Sequence, residues 1–272
     1  MKIKNFLRRI RKHIWYFIQN CFKLIGIDIF PKRVGYSYLP LIETPAFFGK
    51  SAHKLVDIRQ SPDFGELAKT VIQHNRTYLY FDRLFTLFQM MKNLPPKTKQ
   101  EKKVHFAEVG VHRGGGSYFI AACAEKLGID NMQLHSFDTF EGHAAQDIQP
   151  GMDGAHQGGD FRNVDFEDVI KYLSEFPNIA VYKGRFQDTS SQIDKNKFHF
   201  VHLDVDIYEP TLLALHFFHH RLTLHGVMIV DDYGFTTCPG VKKAISEFLE
   251  GQDDYFCFPL LTGQFVMIKM RE

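Results

Sequence analysis

Between residues 64 and 93 the apolar positions Leu67, Val71, Ile72, Leu79, Leu84, Leu87, Phe88 and Met91 keep to one face of a helix, at the steps of three and four that an amphipathic helix requires. The tract 95–103, which starts Pro95-Pro96 and carries four lysines, is polar and breaker-rich and reads as an exposed linker. After it the pattern changes to short apolar runs alternating with helical stripes. Strands are predicted at 104–110, 133–138, 179–183, 198–204 and 226–230, and helices at 116–126, 166–176, 211–222 and 241–249. Two further strands, 255–261 and 264–270, close the chain around Thr262-Gly263. Such alternation predicts an α/β fold, a parallel sheet with helices on both faces. The turn at 262–263 is too tight for a crossover, so the last strand must run antiparallel to its neighbour. A glycine-rich polar stretch at 142–161 reads as a mobile loop or lid, and no internal repeat is visible.

The first 60 residues have a different character. Lys2, Lys4, Arg8, Arg9, Arg11 and Lys12 are interleaved with Phe6, Leu7, Ile10, Ile14, Trp15, Phe17 and Ile18, and the apolar positions form one helical stripe over residues 1–25. Pro31, Pro40 and Pro45 break the chain beyond that stripe into short pieces. The division expected is therefore a basic amphipathic helix with its extension at 1–60, then one domain at 61–272. The helix suits peripheral contact with an anionic membrane surface. Equally, it suits packing on the domain or on a second copy in a homo-oligomer, its basic residues simply solvated. It lacks the uninterrupted apolar core and small-residue cleavage site of a signal peptide, and the chain has no run of about 18 apolar residues that would span a bilayer.

Composition narrows the classes. The 272 residues carry a net charge of +2, without the basic excess that a nucleic-acid-tracking surface shows. Cys21, Cys123, Cys238 and Cys257 form no C-x-x-C pair. Their spacing suits neither a zinc site nor a disulfide framework, which favours a reducing, cytoplasmic setting, peripheral at the inner membrane surface if the helix docks there.

Four places carry candidate chemistry. Glu108-Val109-Gly110-Val111-His112-Arg113-Gly114-Gly115-Gly116-Ser117 follows a strand and opens a helix. Glycines there let backbone approach a ligand closely, and the helix start offers free N–H groups. A plain structural turn is the competing reading. Asp138 ends the second strand, where a carboxylate can accept both ribose hydroxyls of an adenosine or merely cap a turn. Leu203-Asp204-Val205-Asp206 and Val230-Asp231-Asp232 end two later strands. Carboxylates packed together repel and stay protonated unless a cation sits among them. A hard divalent ion with oxygen ligands, Mg²⁺ above all, resolves this at Asp204, Asp231 and Asp232, with capping and solvation of strand ends as the alternative.

Taken in order, Glu-Val-Gly-Val-His-Arg-Gly-Gly-Gly-Ser, Phe-Asp-Thr-Phe-Glu-Gly at 137–142, Gly-Arg-Phe-Gln-Asp-Thr at 184–189, Leu-Asp-Val-Asp-Ile-Tyr-Glu at 203–209 and Asp-Asp-Tyr-Gly at 231–234 resemble the macrocin O-methyltransferase (TylF/MycF) family of class I methyltransferases. Tyr80-Phe81-Asp82-Arg83-Leu84 resembles that family's approach helix, and the likeness runs over about residues 64–270. The resemblance implies a Rossmann-like, seven-stranded, mostly parallel sheet with an antiparallel last strand, and an S-adenosylmethionine- and Mg²⁺-dependent O-methyltransferase. Its acceptor would be a sugar hydroxyl of a natural product or glycan, and vicinal hydroxyls would suit a metal best. By the same resemblance Glu108, Gly110, Gly114 and Ser117 would line the methionine end of the cofactor, and Asp138 its ribose. Asp188 would sit near the adenine or support the third strand, and Asp206 would adjoin the cofactor. Asp204, Asp231 and Asp232 would hold the metal, Asp204 also taking the proton. No match to the family's substrate lid is visible after Gly142, and none for the first 60 residues.

Three other functions compete, of which a metal-dependent hydrolase would use the carboxylates but would not need the glycine turn with Asp138. A nicotinamide-dependent Rossmann oxidoreductase would want G-x-G-x-x-G, where this turn reads G-x-x-x-G-G-G, and would leave the paired aspartates without a task. A catalytically silent methyltransferase-like binding protein is the non-enzyme alternative. His219, His220 and His225 are weaker candidates for proton transfer, being placed at the far edge of the sheet from the aspartates.

Overall fold

The computed structural model describes residues 58–271, which lie within one compact unit, Val56–Glu272. The basic helix expected at 1–25 falls outside the described residues.

Seven strands form a single sheet: β1 Val104–Val109, β2 Met132–Asp138, β3 Ile179–Lys183, β4 Phe198–Leu203, β5 Leu222–Val230, β6 Tyr255–Pro259 and β7 Phe265–Lys269. Their order is β3-β2-β1-β4-β5-β7-β6. β1 to β5 are parallel to their neighbours, whereas β7 runs antiparallel to both β5 and β6. The closing hairpin is thus as its short turn requires. The chain builds outward from β1 to β3, returns to the centre, and builds the other way from β4. That reversal puts the topological switch point between β1 and β4, where open α/β sheets leave a crevice for ligands.

Helices α1 Gly65–Gln73, α2 Phe81–Lys92, α3 Gly115–Lys126 and α4 Phe166–Leu173 cover one face; α5 Phe186–Thr189, α6 Tyr208–His219 and α7 Pro239–Phe248 cover the other. Alternation along the strands divides the core accordingly. Phe106, Phe200 and Ile229 pack with the first layer, and Ala107, Val109, Val201, Leu203, Met228 and Val230 with the second.

Several boundaries differ from the sequence pattern, among them the ends of the helices expected at 166–176 and 211–222, which stop at Leu173 and His219; three differences have a local reason. The helical stripe at 64–93 is two helices, because Asn75 adopts φ 57°, the left-handed conformation that ends helices. The next residue turns its carbonyl to the N–H of Gly115 at 3.2 Å. α6 begins three residues before the apolar stripe at 211, because the buried carboxylate of Asp153 accepts the Tyr208 N–H at 3.0 Å. Pro210 is harmless there, in the first turn. β5 begins at Leu222 rather than 226, with a pairing irregularity against β4 and a left-handed His225, the signature of a bulge.

Candidate active site

The glycine turn joins β1 to α3 at the switch point. Gly110 has φ 96°, and a Cβ there would lie 1.8 Å from the backbone oxygen of Asp204, so only glycine lets the ends of β1 and β4 pass this closely. Gly114 caps α3 in the left-handed conformation. A Cβ on Gly116 would meet a Glu108 carboxylate oxygen at 2.0 Å. Asp138, at the end of β2, accepts the N–H of His112 through one oxygen and that of Phe140 through the other, both at 2.7 Å. These bonds aim the partly exposed carboxylate at the mouth of the turn. The exposed ring of Tyr78 stacks on His112 with centroids 5.4 Å apart, and Phe161 meets both edge-on.

Beneath the turn lies a row of buried polar side chains. Pairing sets Ser136 beside Glu108 and Glu108 beside His202 across β2, β1 and β4. The Ser117 hydroxyl donates to Glu108 Oε2 and lies 2.7 Å from the Ser136 hydroxyl. His202, with no exposed surface, bridges Glu108 Oε1 at 3.0 Å and Asp231 Oδ2 at 3.4 Å. Asp231 also accepts from Arg83 at 3.2 Å and from Gln264 at 3.5 Å. Burial opposes a charge on His202, but the carboxylates of Asp231 and Glu108 outweigh it and push the imidazole up to about 10. Burial likewise opposes ionisation of Asp231, yet Arg83 and His202 hold its carboxyl below the usual range.

Two cations thus face five carboxylates, and at three of those the nearby positive charge does not offset burial and mutual repulsion. Asp204 is driven well above the usual range by burial and then by Asp231 and Asp232. Asp232 is driven the same way by burial, Asp206 and Asp231. Asp206 is pushed up to about 7 by burial and the Asp204 charge. Asp204 belongs to two clusters whose ligand atoms lie within 4.8 Å of one another, one with His202 and Asp231, the other with Asp206 and Asp232. Asp232 Oδ2 is buried with no hydrogen-bond partner. A hard divalent cation fits this donor set, because it supplies the positive charge the carboxylates lack and a partner for that oxygen.

Comparison with known proteins decides the family. The model of the macrocin-O-methyltransferase (TylF) family matches residues 80–253. The chain belongs to the macrocin-O-methyltransferase family. A curated relative, the 8-demethyl-8-(2,3-dimethoxy-alpha-L-rhamnosyl)-tetracenomycin-C 4'-O-methyltransferase of Streptomyces olivaceus, is 28% identical over 143 residues, 48% of this chain and 53% of that protein. The chain therefore matches about half the length of that relative. Among solved structures, the O-methyltransferase NovP superposes with TM-score 0.60 at 20% identity, over 72% of this chain and 83% of that one. The calicheamicin methyltransferase CalS11 gives 0.53 at 18%, over 79% and 98%. These likenesses show the class I methyltransferase fold.

Within this macrocin-O-methyltransferase fold, Gly110, Gly114, Asp138, Asp204, Asp231 and Asp232 gather at the carboxyl ends of β1, β2, β4 and β5 as expected. Glu108 and Ser117 lie beneath the turn. They are 1% and 0% exposed, with their polar atoms engaged by protein, and form its floor. Asp188 lies on α5 with an exposed side chain, 3.7 Å from Arg185. Asp206 faces His143 and Cys238. His219 bonds Tyr255 at the end of α6, remote from the aspartates in the fold. Arg83, His202 and Gln264 were not singled out from the sequence, nor were Tyr78 and Phe161. Only Arg83 left a trace there, in the Tyr80-Phe81-Asp82-Arg83-Leu84 motif.

Proposed function

We infer that this chain transfers a methyl group from S-adenosylmethionine to a hydroxyl of a sugar, on a glycosylated small molecule or glycan, with a divalent ion, Mg²⁺ by the chemistry of its ligands, at the aspartates. The observation that carries the reading is the convergence beside the glycine turn and Asp138 of Asp204 and Asp232, whose burial and repulsion outweigh the nearby Arg83. A nicotinamide enzyme has no use for that convergence, and the family match weighs against it. The acceptor class is drawn from the tetracenomycin rhamnosyl 4'-O-methyltransferase and CalS11, whose names describe glycosylated natural products.

S-adenosylmethionine when bound supplies an already activated sulfonium methyl, so alignment of the reactants provides much of the rate. Mg²⁺ held by Asp204, Asp231 and Asp232 would lower the pKa of an acceptor hydroxyl and favour vicinal diols. The rest falls to the chain. Asp138, fixed by its two backbone N–H bonds, presents acceptor oxygens to a ribose. Glu108 and Ser117 hold the turn from below, with Gly110 and Gly114 keeping its backbone bare. His202 and Arg83 keep Asp231 ionised, and Asp204, which holds a proton in the ion-free cluster, would be ionised by a held cation and so able to take the hydroxyl proton. Asp188 and Asp206 act at the margin of the cofactor site. The glycine-rich segment at 142–161 would cover the acceptor.

Among the described residues no helix is long and apolar enough to cross a membrane. Contact of residues 1–25 with a membrane surface, or with a second copy, is part of the same proposal. The reading is tested by methyl transfer from radiolabelled S-adenosylmethionine to a panel of nucleotide sugars and glycosides. Transfer to a sugar diol that stops in excess EDTA is the expected result. Full activity in EDTA removes the metal, and transfer only to non-sugar phenols removes the acceptor class.

A further inference from the structure

Beyond the aspartate cluster, on the far side of Asp206, four side chains of a different chemical kind converge. The 142–161 segment brings His143 and His156 together, their rings 5.1 Å apart. Cys238, buried at the start of α7, has its Sγ 3.5 Å from His156 Nε2 and 3.9 Å from Asp206 Oδ1. Donor atoms of His156, Asp206 and Cys238 all lie within 4.8 Å of one another. His143 Nε2 stands 3.9 Å from Asp206 Oδ2. That nitrogen is the independent pointer to a ligand: the His143 side chain is only 10% exposed, and Nε2 is buried with no hydrogen-bond partner. A buried ring nitrogen left without a partner costs stability, and here it stands beside the Asp206 carboxylate at the edge of a group of N, O and S donors.

The donors of His156, Asp206 and Cys238 leave room for a tetrahedral ion. Bonds of about 2.3 Å to sulfur and about 2.0 Å to nitrogen or oxygen put neighbouring ligand atoms about 3.3–3.6 Å apart. The Cys238–His156 separation meets this already and Cys238 to Asp206 Oδ1 needs a few tenths of an ångström of closure, while His143, 3.9 Å from the other oxygen Oδ2, must turn in to take the fourth position. Two imidazoles, one thiolate and one carboxylate select a borderline-soft ion over Mg²⁺. We propose that His143, His156, Asp206 and Cys238 bind Zn²⁺ as a clasp that fastens the 142–161 segment to the chain after β4 and to the start of α7, beside the acidic site. Binding replaces the Cys238 S–H bond by a sulfur–metal bond and releases the proton to solvent. The site adjoins, through Asp206, the Mg²⁺ assigned to Asp204, Asp231 and Asp232 without sharing those ligands, and it does not depend on the methyl-transfer reading. Its residues are scattered from 143 to 238 with none of the close ligand pairs that mark zinc motifs, so the spacing of the cysteines gives no hint of it.

Co²⁺ is the probe, added to the full chain stripped with chelator, in buffer holding excess Mg²⁺. One equivalent should produce the near-ultraviolet thiolate-to-cobalt band together with intense tetrahedral absorption in the red, and Zn²⁺ should displace both. Cys238→Ser should lose the near-ultraviolet band. If that variant does not fold, His156→Gln decides, keeping the thiolate band while altering the red absorption. Hydrogen exchange over residues 143–156 should slow with Zn²⁺ and not with Mg²⁺. No thiolate band in the wild type, a band that survives Cys238→Ser, or a His156→Gln spectrum identical to wild type overturns the proposal.

Discussion

Replacing Arg83 by methionine tests whether the buried charge network holds this site together. Arg83 Nη1 lies 3.2 Å from Asp231 and 3.7 Å from Asp232, with side-chain exposures of 10%, 0% and 10% for the three. Its Nη2 donates to the Tyr78 carbonyl at 2.8 Å, which ties the chain before α2 to the same point. Methionine fills much of the volume but leaves Asp231 short of one cation in a place water does not reach. Removing one partner of a buried pair costs about 3–5 kcal/mol. Asp231 keeps His202 and Gln264, so the lower end applies, about 3 kcal/mol, or about 6–12 °C in Tm for a domain of this size. Urea denaturation followed by circular dichroism reads the loss. Adding Asp231→Asn to Arg83→Met removes the stranded charge and should recover about half of it, because residues in one network are not additive. A loss below about 1 kcal/mol, or strictly additive variants, would refute the view that Arg83 and Asp231 act as one buried unit.

The same geometry makes three further predictions. Asp204→Asn should abolish turnover while leaving S-adenosylhomocysteine affinity nearly unchanged in calorimetry; equal loss of cofactor binding would show that Asp204 serves the cofactor. Gly110→Ala places a methyl 1.8 Å from the Asp204 carbonyl at φ 96°, so soluble yield and Tm should both fall; a variant as stable as wild type would mean the β1 and β4 ends do not meet this way. Asp204, Asp206 and Asp232 have folded-state values above the ordinary carboxylate range, Asp206 at about 7. The ion-free protein should therefore lose stability as pH rises from about 4 towards 7, since the folded state holds protons that the unfolded chain has released. Mg²⁺ offsets that repulsion, so its increment in Tm should be larger at pH 8 than at pH 5; equal increments would count against a cation at these groups.

Much of the fold was legible because strand and helix periods differ sharply after residue 104, and because each aspartate ends an apolar strand. The turn at 262–263 even fixed the direction of β7. What escaped the sequence was nearly always a partner distant along the chain. Arg83 and Asp231 stand 148 positions apart, Gln264 and Arg83 stand 181 apart, and an isolated arginine or glutamine carries no pattern that reveals such a bond. His202 sits inside an apolar run, where a histidine reads as core. The break between α1 and α2 was hidden because apolar spacing continues through it, and only the left-handed Asn75 marks the stop. Glu108 and Ser117 were read from the motif as lining the methionine end of the cofactor, and alternation along β1 shows where Glu108 sits, under the turn and paired with His202. The early start of α6 depends on Asp153, 55 positions earlier, inside a segment that looked featureless.

The most direct test is calorimetric titration of the full chain with S-adenosylhomocysteine, with NAD run beside it, each with and without Mg²⁺. Micromolar binding of S-adenosylhomocysteine and none of NAD is the predicted result, with the cofactor's affinity little changed by the ion. Preference for NAD, or no binding of either, would contradict the claim that the glycine turn and Asp138 form an S-adenosylmethionine site.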